Sequence, residues 1–302
     1  MNAISIKDLL AWCKIPPGEL VEHPRRKIPF RMVKDSEEMG EMMAREFVEE
    51  IKKSNSAGRS YRAIVPCGPK CWYEPFCKMV NFEKVSLRNV TIFHMDECLT
   101  REGRPLNKNH PYNFRTTMEK VFYEPVNEDL KVPLKQRFFP SPMNIETFKN
   151  KFWEQPIDLT LGGWGQDGHV AYNQASRNSY DQLSVEELRN SEIRIQQNST
   201  DTIIALAHRS FGAAYQFVPP MSITLGMKEC LSAKKIRLFS DTGTWKQTAL
   251  RVALFSEETC EYPITLLQSH PDAFITATSE TARHPIAENP DWDLTVEESQ
   301  YQ

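Results

Sequence analysis

The chain has 302 residues, 40% of them hydrophobic and 25% charged, a composition ordinary for a soluble globular protein with a sizeable core. A net charge of −3 gives no electrostatic support to a nucleic-acid or membrane-surface partner. No uncharged apolar run is long enough to span a bilayer, and the first residues lack a signal-peptide pattern, so a cytoplasmic protein is expected.

Seven cysteines stand at irregular spacing. Cys67, Cys71 and Cys77 cluster, but C-x3-C-x5-C is not a zinc-site spacing, and reduced thiols are the expectation. Residues 1–27 combine a short amphipathic patch, Ile6 to Trp12, with Pro16-Pro17 and the basic run His23-Pro24-Arg25-Arg26-Lys27. They read as an N-terminal extension that packs on the body or on a neighbouring subunit, which leaves homo-oligomers open. The body is expected over residues 28–284, and the polar, acidic residues 285–302 read as a surface tail.

Phe30 to Val33 reads as a first strand. Ser36 then serves as N-cap of a helix with Glu37 and Glu38 in its first turn and a core stripe of Met39, Met42, Met43, Phe47 and Ile51. Tyr61 to Val65 is a second strand, running into Pro66-Cys67-Gly68-Pro69-Lys70. Such a junction can cradle a phosphate, although its two prolines have no N–H to give; Gly68 and Lys70 are the candidates there. Val90 to Phe93 is a third strand and ends in His94-Met95-Asp96-Glu97. Two consecutive carboxylates at a buried strand end point to opposite faces if strand geometry continues, which leaves one for a site. The polar stretch Leu99 to Asn113 has the length of a lid or binding loop.

Helices are expected over Phe114 to Val121 and Ile145 to Trp153, with a strand near Arg137 to Phe139 between them. Ile157 to Leu161 is a buried strand that breaks into Gly162-Gly163-Trp164-Gly165-Gln166-Asp167-Gly168-His169. Further on, Ser184 and Glu187 form a capping box, and Thr202 to Gln216 is helical in pattern and carries Arg209. Ser222 to Leu225 fits either a strand or a helix start. Lys235 to Phe239 is a strand, Thr244 is the expected cap of a helix through Leu254 with Lys246 in its first turn, and Ala273 to Thr276 is the last strand. A lysine there opposes the helix dipole and suggests an anion. Strands alternating with helices argue for an α/β, Rossmann-like fold with a mainly parallel sheet and helices on both faces.

Gly163 to Gly168 formally fits the dinucleotide pattern G-x-G-x-x-G. Trp164 is too bulky for close approach, and Asp167 would oppose a pyrophosphate, so no dinucleotide is expected. An acid and an imidazole one residue apart, Asp167 and His169, instead suit proton transfer. With Asp96 as a further carboxylate and Lys246 and Arg209 as anion-binding cations, the set suits proton transfer on a phosphorylated small molecule. Each residue also has a plainer reading: Asp167 as a turn former, His169 as a core histidine, Asp96 as a cap, Arg209 as a surface residue.

Asp167-Gly168-His169-Val170-Ala171-Tyr172-Asn173 resembles the D-G-H-I-A-F-N signature of the glucosamine-6-phosphate deaminase/isomerase family, and Met95-Asp96-Glu97 resembles its M-D-E segment. The resemblance runs from about residue 28 to 280, through Val218-Pro219, Ile223-Thr224-Leu225-Gly226, Gly243 with Lys246, and Leu267-Gln268-Ser269-His270-Pro271. The wider superfamily includes 6-phosphogluconolactonases, which share a D-G-H segment. The resemblance implies that Asp96 moves a proton between C2 and C1 of an open-chain sugar, that His169, oriented by Asp167, assists ring opening, and that Arg209 and Lys246 grip the phosphate. It implies no metal and no organic cofactor, only a sugar phosphate. The alternatives are an isomerase or lactonase without deaminase activity and a non-catalytic sugar-phosphate sensor; residues 1–27 are too short for the helix-turn-helix such sensors often carry. Two positions depart from the family. Gln174-Ala175 stand where it has Glu-Pro, and Gln174, expected in the histidine's relay, cannot carry negative charge. Cys67-Gly68-Pro69-Lys70-Cys71 replaces a small Gly/Ser/Thr run.

Overall fold

The computed structural model describes residues 4–176, 180 and 182–294. Residues 1–3 of the N-terminal extension and 295–302 of the tail lie outside the described residues. The strands are β1 (Phe30–Val33), β2 (Tyr61–Val65), β3 (Val90–His94), β4 (Asp96–Leu99), β5 (Arg137–Phe138), β6 (Leu159–Gly162), β7 (Arg194–Gln197), β8 (Met221–Thr224), β9 (Lys235–Ser240) and β10 (Ala273–Thr278). Among the described residues they form a seven-stranded sheet, ordered β1-β10-β9-β6-β2-β3-β5, and a three-stranded sheet, β4-β8-β7.

Every pairing in the large sheet is parallel. Parallel sheets are covered on both faces, so their central strands are predominantly apolar and buried. Accordingly β2 and β6, neighbours in its centre, are buried at every position. The chain leaves β2 for β3 and β5 on one side, returns to β6, and continues to β9 and β10 on the other. The strand order reverses between β2 and β6, and a ligand crevice is expected at the carboxyl ends of that pair.

The helix Ser36–Ser56 buries Met39, Met43, Phe47 and Ile51. Its cap is Asp35 rather than Ser36: Asp35 has extended backbone and its carboxylate accepts from the Glu38 N–H at 3.0 Å, whereas Ser36 is already helical. Phe47 stacks on Phe76 and Phe76 on Phe122, with centroids 5.2 and 5.1 Å apart, which ties this helix to Tyr73–Phe82 and to the segment after Phe114–Met118. At the N-terminus, residues 4–27 lie against the body. Cys13 and Leu20 are buried, Arg251 Nη2 donates to the Ile15 carbonyl at 3.0 Å, and Lys27 N donates to Leu254 O at 2.8 Å. No helix among the described residues is long and apolar enough to cross a membrane.

Two further expectations from sequence are corrected, and one open alternative is settled. The helix expected to Gln216 runs over Thr200–Ser210 and stops because Gly212 and Ala213 turn left-handed, at φ 56° and 70°. Thr244 does not cap the next helix; Gly243–Lys246 is a 3-10 turn, opened by Gly243 at φ 57°, and the α-helix is Gln247–Phe255. Ser222 to Leu225 resolves as strand β8, flanked antiparallel by β4 and by β7. The strand β7 leaves little mark in the sequence: in Arg194-Ile195-Gln196-Gln197 the lone apolar residue, Ile195, faces solvent.

Candidate active site

Four loops meet beyond the carboxyl ends of β2, β3, β6 and β9. The loop after β6 is shaped by its glycines. A Cβ on Gly165 would fall 2.1–2.6 Å from ring atoms of His169, so only glycine leaves room for the imidazole. Gly168 adopts φ +73° and lies against Tyr262, where a side chain is excluded both by conformation and by space. The turn is closed by hydrogen bonds from Gly165 N to His169 O, 2.9 Å, and from Gly168 N to Gly165 O, 3.1 Å. Within it, Asp167 Oδ1 lies 2.6 Å from His169 Nδ1 and 3.3 Å from the His169 N–H. Asp167 is buried, which works to raise its pKa, but the His169 charge and these hydrogen bonds outweigh burial and hold it below the ordinary carboxylate value. The imidazole stacks on Tyr172, centroids 5.8 Å apart, so Nδ1 and one ring face are fixed.

The two carboxylates after β3 divide, as strand alternation requires. Glu97 is buried and accepts from three backbone N–H groups: Cys98 at 3.0 Å, Phe114 at 2.8 Å and Arg115 at 2.7 Å. It thereby anchors the start of the Phe114–Met118 helix and the end of the long loop after β4. Asp96 pairs across β4 and β8 with Thr224. Burial, and then the adjacent Glu97 charge, push its carboxyl up to about 8. Its field reaches Cys67 and Tyr73 from the β2 side and Tyr172 from the β6 loop, so Asp96 shares this region with the Asp167–His169 pair. The neighbouring His94 is a core residue: it stacks on Phe139 at 3.9 Å, bonds the Tyr123 hydroxyl at 2.8 Å, and burial with the charges of Arg115 and Arg137 pushes its pKa down to about 3.

The cations gather on the β9 side. Lys246 Nζ stands over the indole ring of Trp164, 5.8 Å from its centroid, a cation–π contact with the loop after β6. Burial and then the Arg209 charge push the Lys246 ammonium down to about 8, against Asp241 and Asp167, which pull it up. Arg209, exposed near the end of the Thr200–Ser210 helix, therefore shares the surroundings of Lys246 and the His169 loop. Gly68 and Lys70 are both exposed after β2. A Cβ on Gly163 would lie 3.6 Å from Gly68 O, so the β2 and β6 loops touch, and Lys70 acts on Cys67 beside Asp96.

Gln174 stands apart from the relay assigned to it. Its Oε1 accepts from Ser199 N at 2.7 Å and its Nε2 donates to Thr202 Oγ1, so both ends of the amide are spent on the N-terminus of the Thr200–Ser210 helix. His169 takes its orientation from Asp167 and Tyr172. Sequence reasoning also passes over Asn173, whose Nδ2 donates to Val170 O and Leu225 O at 3.0 and 2.9 Å while Oδ1 accepts from Arg194 at 2.9 Å. This amide ties the histidine loop to the small sheet. Its only signal in sequence is its place at the end of the D-G-H run. Trp164, set aside as bulky, is the floor under Lys246, a contact no spacing announces.

No family model matches the chain. It is 29% identical over 247 residues to a glucosamine-6-phosphate deaminase of Aliivibrio fischeri (strain MJ11), covering 80% of this chain and 86% of the relative. It is 26% identical over 211 residues to that of Streptococcus pneumoniae (strain 70585), covering 68% and 80%. Among solved structures, a monomeric glucosamine-6-phosphate deaminase superposes with a TM-score of 0.70 at 20% identity, over 84% of this chain and 98% of that one. A 6-phosphogluconolactonase from Shewanella baltica OS155 superposes with a TM-score of 0.57 at 15% identity, over 82% and 97%. The two structures share the α/β fold described above.

Proposed function

We propose that this chain, a divergent relative of the glucosamine-6-phosphate deaminases, converts an amino-sugar phosphate into a keto-sugar phosphate and ammonia. The observation that carries the reading is the meeting of Asp96, held near pH 8, with the Asp167–His169 pair and the Lys246–Arg209 cations at the sheet's switch point. Lys246 and Arg209 hold the phosphate, and Lys70 adds charge from the β2 loop. His169 moves the proton that opens the sugar ring, with Asp167 fixing its tautomer. Asp96 takes the proton from C2, whose electron pair forms the C1–C2 double bond as O1 takes up a proton to give the enol; the same carboxyl then returns its proton to C1 while the C2 amine gives one up. The C2 imine so formed takes up water and releases ammonia. This chemistry needs acid, base and anion support from side chains alone.

Incubation with glucosamine 6-phosphate, following ammonia and fructose 6-phosphate, tests the reading. Turnover abolished by Asp96→Asn is the expected result. Tight sugar-phosphate binding without either product would replace it with a sensor, and ketose formation without ammonia would reduce it to an isomerase.

A further inference from the structure

A second concave site adjoins this machinery and shares Lys70 with it. A cavity of about 490 Å³ opens between the Tyr73–Phe82 helix and the segment that follows Phe114–Met118. That volume falls in the range of small-molecule sites. Its floor is apolar, formed by Tyr73, Cys77 and Val121. The floor is also rigid: Cys77 is buried and its thiol is bound to the Val121 and Phe122 carbonyls, each at 3.6 Å. Three lysines line the same cavity, Lys70, Lys78 and Lys120, in a chain whose net charge is −3. The acid among the lining residues is Glu74, and it is engaged with Lys78 at 2.6 Å. Asn81 spends its amide on Pro125 O and Asn127 N, both at 2.8 Å, so it braces the wall. Residues Glu119–Tyr123 of that wall form a π-helical turn, a geometry frequent at functional sites.

We propose that this cavity binds a small organic anion with an apolar body, its ring or chain on the Tyr73–Val121 floor and its acidic group among the lysines. An apolar floor under an excess of positive charge selects for both halves of such a ligand: a bare anion leaves the floor wet, and a neutral apolar molecule leaves Lys70 and Lys120 unanswered. Lys70 lies at the edge shared with the site proposed above; the other lining residues take no part in that reaction, so binding here is read apart from turnover.

The fluorescent probe 8-anilinonaphthalene-1-sulfonate tests it directly on the full chain. The wild type is expected to bind the probe saturably. Lys78→Glu combined with Lys120→Glu, two exposed positions, is expected to weaken binding at least about tenfold, the scale of losing charge-assisted contacts. An unchanged melting temperature and circular dichroism spectrum confirm that the variant is folded. Val121→Glu, which spoils the floor and not the rim, is expected to have a similar effect. Phenyl phosphate is expected to displace the probe from the wild type far better than inorganic phosphate does. Equal probe binding by wild type and the double variant overturns the site; equal displacement by the two phosphates overturns the ligand class.

Discussion

Asp96 and Glu97 are consecutive on one strand and do opposite work. Glu97 is tied to three backbone N–H groups, while its charge helps keep the proton on Asp96. In the proposed reaction Asp96 as a base needs to lose its proton, which it does near pH 8, and Lys246 as an anion holder needs to keep its own, which it loses near the same pH. The pH profile of kcat/KM is therefore expected to be a narrow bell centred near 8. Glu97→Gln removes a like charge, so the rising limb moves to lower pH while the falling limb stays. The amide also loses one acceptor for the Arg115 N–H, at a stability cost of about 1–3 kcal/mol. A rising limb that does not move would separate Glu97 from the titration of Asp96.

The same carboxyl couples pH to stability. Its folded pKa lies above its ordinary value of 3.8, so the stability it contributes is complete below that value and is lost as pH rises through about 8. Asparagine stays neutral throughout. Asp96→Asn is thus expected to match the wild type in melting temperature at about pH 4 and to exceed it at about pH 9, by a few degrees for each kcal/mol regained. Thermal melts across this range measure the difference. A variant less stable than the wild type at the alkaline end would contradict the burial of Asp96.

Gln174 answers a different question. Both of its amide atoms serve the N-terminus of the Thr200–Ser210 helix. A glutamate there keeps an acceptor for Ser199 N and takes the Thr202 hydroxyl as donor, and its charge suits the helix dipole. Gln174→Glu is expected to stabilise the protein by about 0.3–1 kcal/mol and to leave the pH profile of turnover in place. Chemical denaturation and a pH–rate profile check the two halves. A shifted profile would restore the glutamine to the histidine's relay.

The parts of this fold that are legible in sequence are those governed by local rules. The apolar runs that become β2 and β6 read as strands because both of their faces are covered, and Ser184 with Glu187 reads as a capping box because its partners stand three residues apart. The small sheet is hidden because β4 pairs with β8 across more than a hundred residues, Asp96 with Thr224, and Ile195 gives β7 no buried pattern. In the site, Asp167 and His169 are visible as neighbours in sequence that stay neighbours in space. The contact between Trp164 and Lys246 is not, since it depends on how the loops after β6 and β9 are brought together by the sheet.

Trp164 offers the last test. Its ring face lies under the Lys246 ammonium, and its own indole N–H is buried without a hydrogen-bond partner among the described residues. An unpaired buried donor is a stability cost, so the residue is held there by its ring and not by its nitrogen. Trp164→Phe keeps an aromatic face and sheds the unpaired donor; Trp164→Leu keeps an apolar side chain and removes the face. Cation–π contacts contribute about 0.5–2 kcal/mol, so the leucine variant is expected to raise KM for a sugar phosphate by roughly twofold to thirtyfold with kcat little changed. The phenylalanine variant should fall between it and the wild type. Steady-state kinetics on the three proteins decides the matter: equal KM values for the leucine and phenylalanine variants would mean that Trp164 fills space beneath Lys246 and does not position its charge.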